Sequence, residues 1–228
     1  MVMSFSWPKK KAKACEKPLR KSNSATRFCK RCFEPLSYSS FHNVFSKEPV
    51  LCQKCYQEFH PIFKRFKVLG VPALALYPYN EAIRNTLFLF KGCYDFEMRK
   101  VFLDYQKTWL HLVYLGYVIV PAPSFAGHDE KRGFNHVVEM FSSLGLPIVR
   151  AIEKTEDIKQ SSLNAKERAK VGRHLRWMDG VSVKGKKVLL VDDVYTTGST
   201  MKALVRLVKA HNPKRIKVLV MSLAPPHF

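Results

Sequence analysis

The chain has 228 residues, 46% of them hydrophobic, with 16 Phe, 9 Tyr and 3 Trp. That is enough for one medium domain or a domain plus a small module, and it excludes a wholly disordered chain. Lys and Arg number 39 against 18 Asp and Glu, a formal charge of +21, which fits a polyanionic partner and argues against an acidic one.

Residues 1–27 read as a basic flexible tail. Ten Lys and Arg fall within residues 1–31 beside the single acid Glu16, and no apolar stretch follows that would make a secretory signal. No apolar run approaches the roughly 18 residues that span a bilayer. The longest, residues 110–121, contains His111 and Gly116. The expected location is therefore cytoplasmic, with peripheral contact at the inner membrane face as a role open to the tail.

Residues 28–60 carry Cys29, Cys32, Cys52 and Cys55, two C-x2-C pairs separated by 19 residues. Each pair turns two thiolates toward one centre, and four soft ligands suit tetrahedral Zn²⁺ in a closed, structural site. A module this small folds with the help of its metal. His42 and His60 lie close by but read as solvated loop residues, and Cys15 and Cys93 have no partner at ligand spacing.

The remaining residues, 61–228, are expected to form one α/β domain. HPIFKRFK (60–67) reads as a linker mixing aromatic and basic residues. A strand at 71–80 broken at Pro78 is followed by helices over 81–91 and 95–116. A strand at 117–123 comes next, then a helix over 131–145 and a short strand at 146–152. The charged stretch 153–176 reads as a mobile loop. A buried strand (186–194), a helix (201–211) and a last strand (215–223) complete the chain. Continuously apolar strands alternating with helices predict a parallel sheet covered on both faces, whose ligands sit at the carboxyl ends of the strands.

At one such end the chain reads VLLVDDVYTTGST (188–200). Thr196, Thr197, Gly198, Ser199 and Thr200 lead into a helix whose first N–H groups and partial positive charge form a cradle for a monophosphate. Capping the helix would need only one of those hydroxyls. Asp192 and Asp193 are placed to accept from a sugar diol or to hold water on Mg²⁺. A ribose 5-phosphate group satisfies both halves. An ATPase reading of the Asp pair fails for want of a G-x-x-x-x-G-K-[ST] loop.

This stretch resembles the phosphoribosyl-diphosphate (PRPP) motif of type I phosphoribosyltransferases. The cysteine pairs, VIVPAP followed by KRGFNH (131–136), Gln160-Ser-Ser-Leu with Arg168, and then the PRPP motif follow the order of the ComF family, a resemblance covering about residues 28–224. It implies a phosphoribosyltransferase-like (Rossmann-like) domain after an N-terminal zinc ribbon. It also implies ribose contacts from Asp192 and Asp193, a 5-phosphate on 196–200, and pyrophosphate near the turn after Pro121. Arg132 is a candidate anion contact or, alternatively, a surface charge at a helix start. Lys154, Gln160 and Arg168 fall in the family's mobile loop, where RAKVGR departs from the family by lacking an Asn after the arginine.

Two functions are consistent with this resemblance. One is handling of incoming single-stranded DNA during natural competence, alongside a helicase and other DNA-uptake proteins, with PRPP or ribose phosphate as a ligand. The aromatic-basic stretch 60–67 would then offer base stacking beside backbone charge. The other is an active phosphoribosyltransferase using PRPP and Mg²⁺ with a nitrogenous acceptor, whose recognition site no residue cluster declares. The fold alone does not decide between them.

Overall fold

The computed structural model of the chain describes residues 27–36, 48–155 and 175–226. A five-stranded sheet runs in the order β1-β2-β7-β6-β3, formed by β1 (Lys64–Val68), β2 (Val71–Pro78), β3 (Tyr117–Pro121), β6 (Lys187–Tyr195) and β7 (Arg215–Leu223). The last four are parallel, as their continuously apolar sequences predict, and β1 adds an antiparallel edge. Two short strands, β4 (Ile152–Lys154) and β5 (Leu175–Trp177), pair separately. Both faces of the sheet are covered. Along β6, Leu189 and Val191 enter one buried cluster while Val188 and Leu190 enter the other, the period-2 alternation of an interior strand.

The stretch read as a linker is in part β1. It joins β2 through Leu69 and Gly70, both at positive φ (50° and 81°), the backbone of a two-residue hairpin turn. Leucine is an unusual residue there, which hid the turn from the sequence.

Three helix expectations change. The segment 81–91 is helical over α2 (Glu81–Leu87) and then widens into a π turn, Phe88–Gly92. The segment 95–116 is not one helix: a 3₁₀ turn (Phe96–Lys100) and irregular turns precede α3 (Lys107–Val113). Val101, Phe102, Leu103 and Asp104 are all buried in succession, so tertiary packing on every side overrides helical periodicity. The predicted helix over 131–145 is two, α4 (Ala126–Arg132) and α5 (His136–Ser142). Gly133 at φ 80° ends the first, and the Asn135 carboxamide accepts from Val138 N–H to cap the second. The expected strand at 146–152 is absent. Ile148 makes only an isolated bridge to Ile119, and regular pairing begins at Ile152.

The cysteine region packs directly on the sheet domain through α1 (Gln53–Glu58). Cys29, Leu51, Cys55 and Phe59 share a buried cluster with Leu76, Tyr77 and Phe102. The buried Asp104 carboxylate accepts from Val50 and Leu51 N–H (3.0 and 3.1 Å) and from Lys107 (3.1 Å), fixing the second cysteine pair to the domain. Gln106 links Tyr56 and Tyr77, both at 2.8 Å, and Arg31 pairs with Glu58. Each bond buried on both sides contributes about 1 kcal/mol net, whereas the Arg31–Glu58 pair, with its carboxylate 43% exposed, is screened by water and adds less. No helix among the described residues is long and apolar enough to cross a membrane.

Candidate functional site

β6 is an interior strand, between β7 and β3, and delivers Asp192 and Asp193 to its carboxyl end. Residues 196–198 then turn the chain into α6 (Ser199–Lys209). The turn requires glycine twice over. Gly198 has φ 73°, and a Cβ placed there would lie 2.1 Å from the Tyr195 hydroxyl oxygen. Tyr195 therefore covers the loop from inside, with its ring edge-on to Phe66 at 5.0 Å. The N-cap residue, Gly198, has no side chain to cap α6, and the Thr197 hydroxyl accepts from Ser199 N–H only at 3.5 Å, which leaves the loop face of the helix N-terminus open to an anion. The Thr197 and Ser199 hydroxyls lie 2.7 Å apart beside it. Burial of Met201, Leu204, Val205 and Val208 against the sheet holds the helix in this position.

The loop and the acids open into one cleft of about 360 Å³. Its walls include Asp192, Asp193, Thr196, Gly198 and Thr200, together with Ala122 and Pro123 from the turn after β3. The seven residues grouped from sequence as one ribose-phosphate site run from the end of β6 through the turn into α6; five line the cleft, and the other two, Thr197 and Ser199, are not among its walls.

The two carboxylates are not equivalent. Asp193 is buried and accepts from Lys91 Nζ at 2.7 Å, from His136 Nε2 at 3.3 Å and, through its other oxygen, from Val194 N–H at 2.7 Å. Burial pushes its pKa up, but Lys91 and His136 outweigh that and hold the carboxyl well below the usual carboxylate range. Asp192 is half-buried at the cleft surface and accepts from the backbone N–H of Asp193 (2.9 Å). Burial, and then the charge on Asp193, push it well above the ordinary 3.8. The pair thus contains one acid engaged by Lys91 and His136, which favour its ionised form, and one facing the cleft whose ionisation is disfavoured by burial and by its neighbour's charge.

Lys91 and His136 went unassigned in the sequence. Lys91 sits 102 positions from Asp193 at the π turn after α2, where nothing local marks it. His136 closes the KRGFNH stretch, and that proximity is the one available signal. Arg132 donates to Lys91 O (3.2 Å), to Asp129 (3.3 Å) and to His136 Nδ1 (3.1 Å), and it is not among the residues lining the cleft. A guanidinium has no acceptor, so His136 Nδ1 accepts and its proton sits on Nε2, aimed at Asp193. Asp129 is held in turn by Ser124 (2.6 Å) and Asn135 (2.7 Å). Lys154 ends β4, whereas Gln160 and Arg168 lie outside the described residues.

The Sγ atoms of Cys29, Cys32, Cys52 and Cys55 all lie within 4.8 Å of one another, with Cys32 and Cys52 3.7 Å apart. Tetrahedral ligands at Zn–S of about 2.3 Å are separated by nearly that distance. The backbone N–H groups of Cys52 and Cys55 point at Cys29 and Cys52 Sγ (3.4 and 3.5 Å), supporting the thiolate form. The donor set fits a structural zinc ion. His42 lies outside the described residues, His60 is exposed, and Cys93 is an exposed free thiol.

Among known proteins, the phosphoribosyl transferase domain family matches residues 130–225. The competence protein ComFC of Streptococcus pneumoniae is 33% identical over 151 residues, 65% of this chain and 67% of that protein. The Bacillus subtilis ComFC is 30% identical over 129 residues, 56% of this chain and 53% of that protein. A hypoxanthine phosphoribosyltransferase structure from Staphylococcus aureus superposes with a TM-score of 0.37 at 12% identity, covering 55% of this chain and 62% of that one. With the four-cysteine cluster, the mostly parallel sheet and these sequence similarities together, the chain belongs to the ComFC family of competence proteins and carries a phosphoribosyltransferase domain.

Proposed function

We propose that the protein handles single-stranded DNA in natural competence and binds the ribose 5-phosphate group of PRPP in the cleft beside Asp192. One observation carries the ligand assignment: a carboxylate pair and an uncapped, hydroxyl-rich helix N-terminus share one cleft at the carboxyl end of an interior parallel strand. The 5-phosphate takes the backbone N–H groups and hydroxyls of residues 196–200. Asp192 accepts from the ribose diol, and the pyrophosphate extends toward Ala122 and Pro123, near the Lys91 ammonium.

The two acids divide the work. Asp193 is occupied by Lys91 and His136, so its task is to hold the end of β6 and to place the lysine. Arg132 acts through His136, which it orients. Asp192 is the acid left to face the ligand, with its carboxylate oxygens as acceptors. Its carboxylate, alone or through water, would hold Mg²⁺ beside the pyrophosphate, and the ion would supply charge neutralisation there. The DNA reading rests on the competence-protein relatives and the charge of +21.

The test is calorimetric titration of PRPP with Mg²⁺ into the full chain and into Thr197→Ala/Ser199→Ala, with anisotropy of a labelled oligothymidylate in parallel. Saturable PRPP binding weakened about tenfold by the loop variant supports the cleft assignment; indifference to it refutes it. Absence of oligothymidylate binding at moderate salt refutes the DNA reading.

A further inference from the structure

A second cavity, of about 680 Å³, lies between the β1–β2–β7 face of the sheet, α3 and the cysteine region. Its walls are unlike those of the Asp192 cleft. Tyr105 lies flat on Tyr56, with centroids 3.9 Å apart and planes 1° from parallel. Phe63 meets Trp109 edge to face at 5.9 Å. These last two are 40% and 44% exposed, large apolar surface left in water at the rim. Phe63 is also held at φ 45°, a conformation that costs a bulky residue energy and persists only where the surroundings impose it. The cations at this cavity are Arg65 and Lys67 from β1 and Lys217 from β7, and no carboxylate lines it. Lys217 sits over the rings of Tyr114 and Tyr117 at 5.5 and 5.4 Å.

A site for a purely apolar ligand would not need Arg65, Lys67 and Lys217 at its wall. A site for inorganic anions would not need exposed aromatic faces. Flat aromatic surface beside fixed positive charge suits a planar base carrying a phosphate, and the volume is that of a small-ligand site.

We propose that this cavity binds a nucleotide unit, with its base against Trp109 and Phe63 and its phosphate against Arg65, Lys67 and Lys217. The unit belongs either to a single strand or to a free nucleotide. The first case rests on the DNA reading above; the second does not. The site is separate from the Asp192 cleft, whose nearest link to it is the Phe66–Tyr195 contact.

The experiment uses the full chain with labelled oligothymidylate and with dTMP. The variants are Trp109→Ala, Phe63→Ala and Arg65→Glu, with Lys184→Glu as a charge control outside the cavity. Stacking by one aromatic side chain predicts a loss of about five- to hundredfold in Trp109→Ala. Arg65→Glu should lower the salt dependence of binding, and Lys184→Glu should do so less. PRPP binding should stay unchanged in every cavity variant, which also reports that they fold. Strand binding lost in the variants, without dTMP binding to the wild type, identifies the polymer as the source. dTMP binding lost in the variants supports the site with a free nucleotide, even if the wild type ignores the strand and the DNA reading falls. Strand binding unchanged in Trp109→Ala and Phe63→Ala, with dTMP binding absent or likewise unchanged, leaves the DNA reading intact and overturns the cavity assignment. Neither ligand binding the wild type overturns both.

Discussion

Replacing Asp193 by Asn and Asp192 by Asn should have opposite consequences, although the residues are adjacent and alike. In Asp193→Asn the carboxamide oxygen still accepts from Val194 N–H, but the amide nitrogen then faces the Lys91 ammonium and the His136 Nε2 proton, donor against donors. Hydrogen bonds to charged groups contribute about 1.5–3 kcal/mol. The Lys91 side chain is 38% exposed and recovers part of its loss from water, so a net cost of about 2 kcal/mol follows. For a chain of this size that is a fall of about 4–8 °C in Tm. Asp192→Asn replaces an acid whose charge is disfavoured by burial and by Asp193, and Tm should stay within about 2 °C of wild type or rise.

The pH dependence has a sign for each acid. The folded pKa of Asp193 is depressed, so its contribution is present above the ordinary 3.8 and is lost as pH falls through the folded value. That of Asp192 is raised, so its contribution is present below 3.8 and is lost as pH rises through its folded value. Thermal melts of wild type and both variants from below pH 3.8 to about pH 8 measure this: the Asp193→Asn deficit closes only below 3.8, whereas Asp192→Asn gains on wild type as pH rises above it. A Tm loss in Asp192→Asn equal to that in Asp193→Asn at neutral pH would refute the division between the acids.

Other consequences follow from the same structure. Gly198→Ala places a methyl group against the Tyr195 hydroxyl in a left-handed backbone conformation; it should cost at least about 1–2 kcal/mol in urea unfolding and abolish measurable PRPP binding in calorimetry. Asp104→Ala strands the Val50 and Leu51 N–H groups, at about 1–3 kcal/mol for a buried unsatisfied donor, and should release the cysteine region to proteolysis before the sheet domain unfolds. The purified chain should hold about one zinc per molecule by metal analysis. Cys52→Ser should lose that zinc and lower Tm by several degrees, because Cys29 and Cys55 belong to the same buried cluster as the sheet face.

Much of the candidate site was legible in the sequence because it is local. The strand, the acid pair, the glycine and the hydroxyls fall within thirteen residues, and strand alternation with helices placed them at a carboxyl edge. The four cysteines were legible from spacing alone. Lys91 was not, since a residue about a hundred positions away is brought to Asp193 only by the fold. The errors in the fold share a cause. Asp104 and Gln106 look like polar helix positions, but they are buried and committed to the cysteine region and to Tyr56 and Tyr77. Leu69-Gly70 forms a hairpin without the usual turn residues, which turned β1 into an apparent linker. The second cavity is half-visible, since HPIFKRFK sets Phe63 and Phe66 among basic residues, but Trp109 and Lys217 come from elements far along the chain.

The most direct measurement is calorimetric titration of PRPP with Mg²⁺ into wild type and Asp192→Asn. Affinity at least about tenfold lower in the variant is the predicted result. Equal affinity in the two proteins would contradict the assignment of Asp192 as the ligand-facing acid.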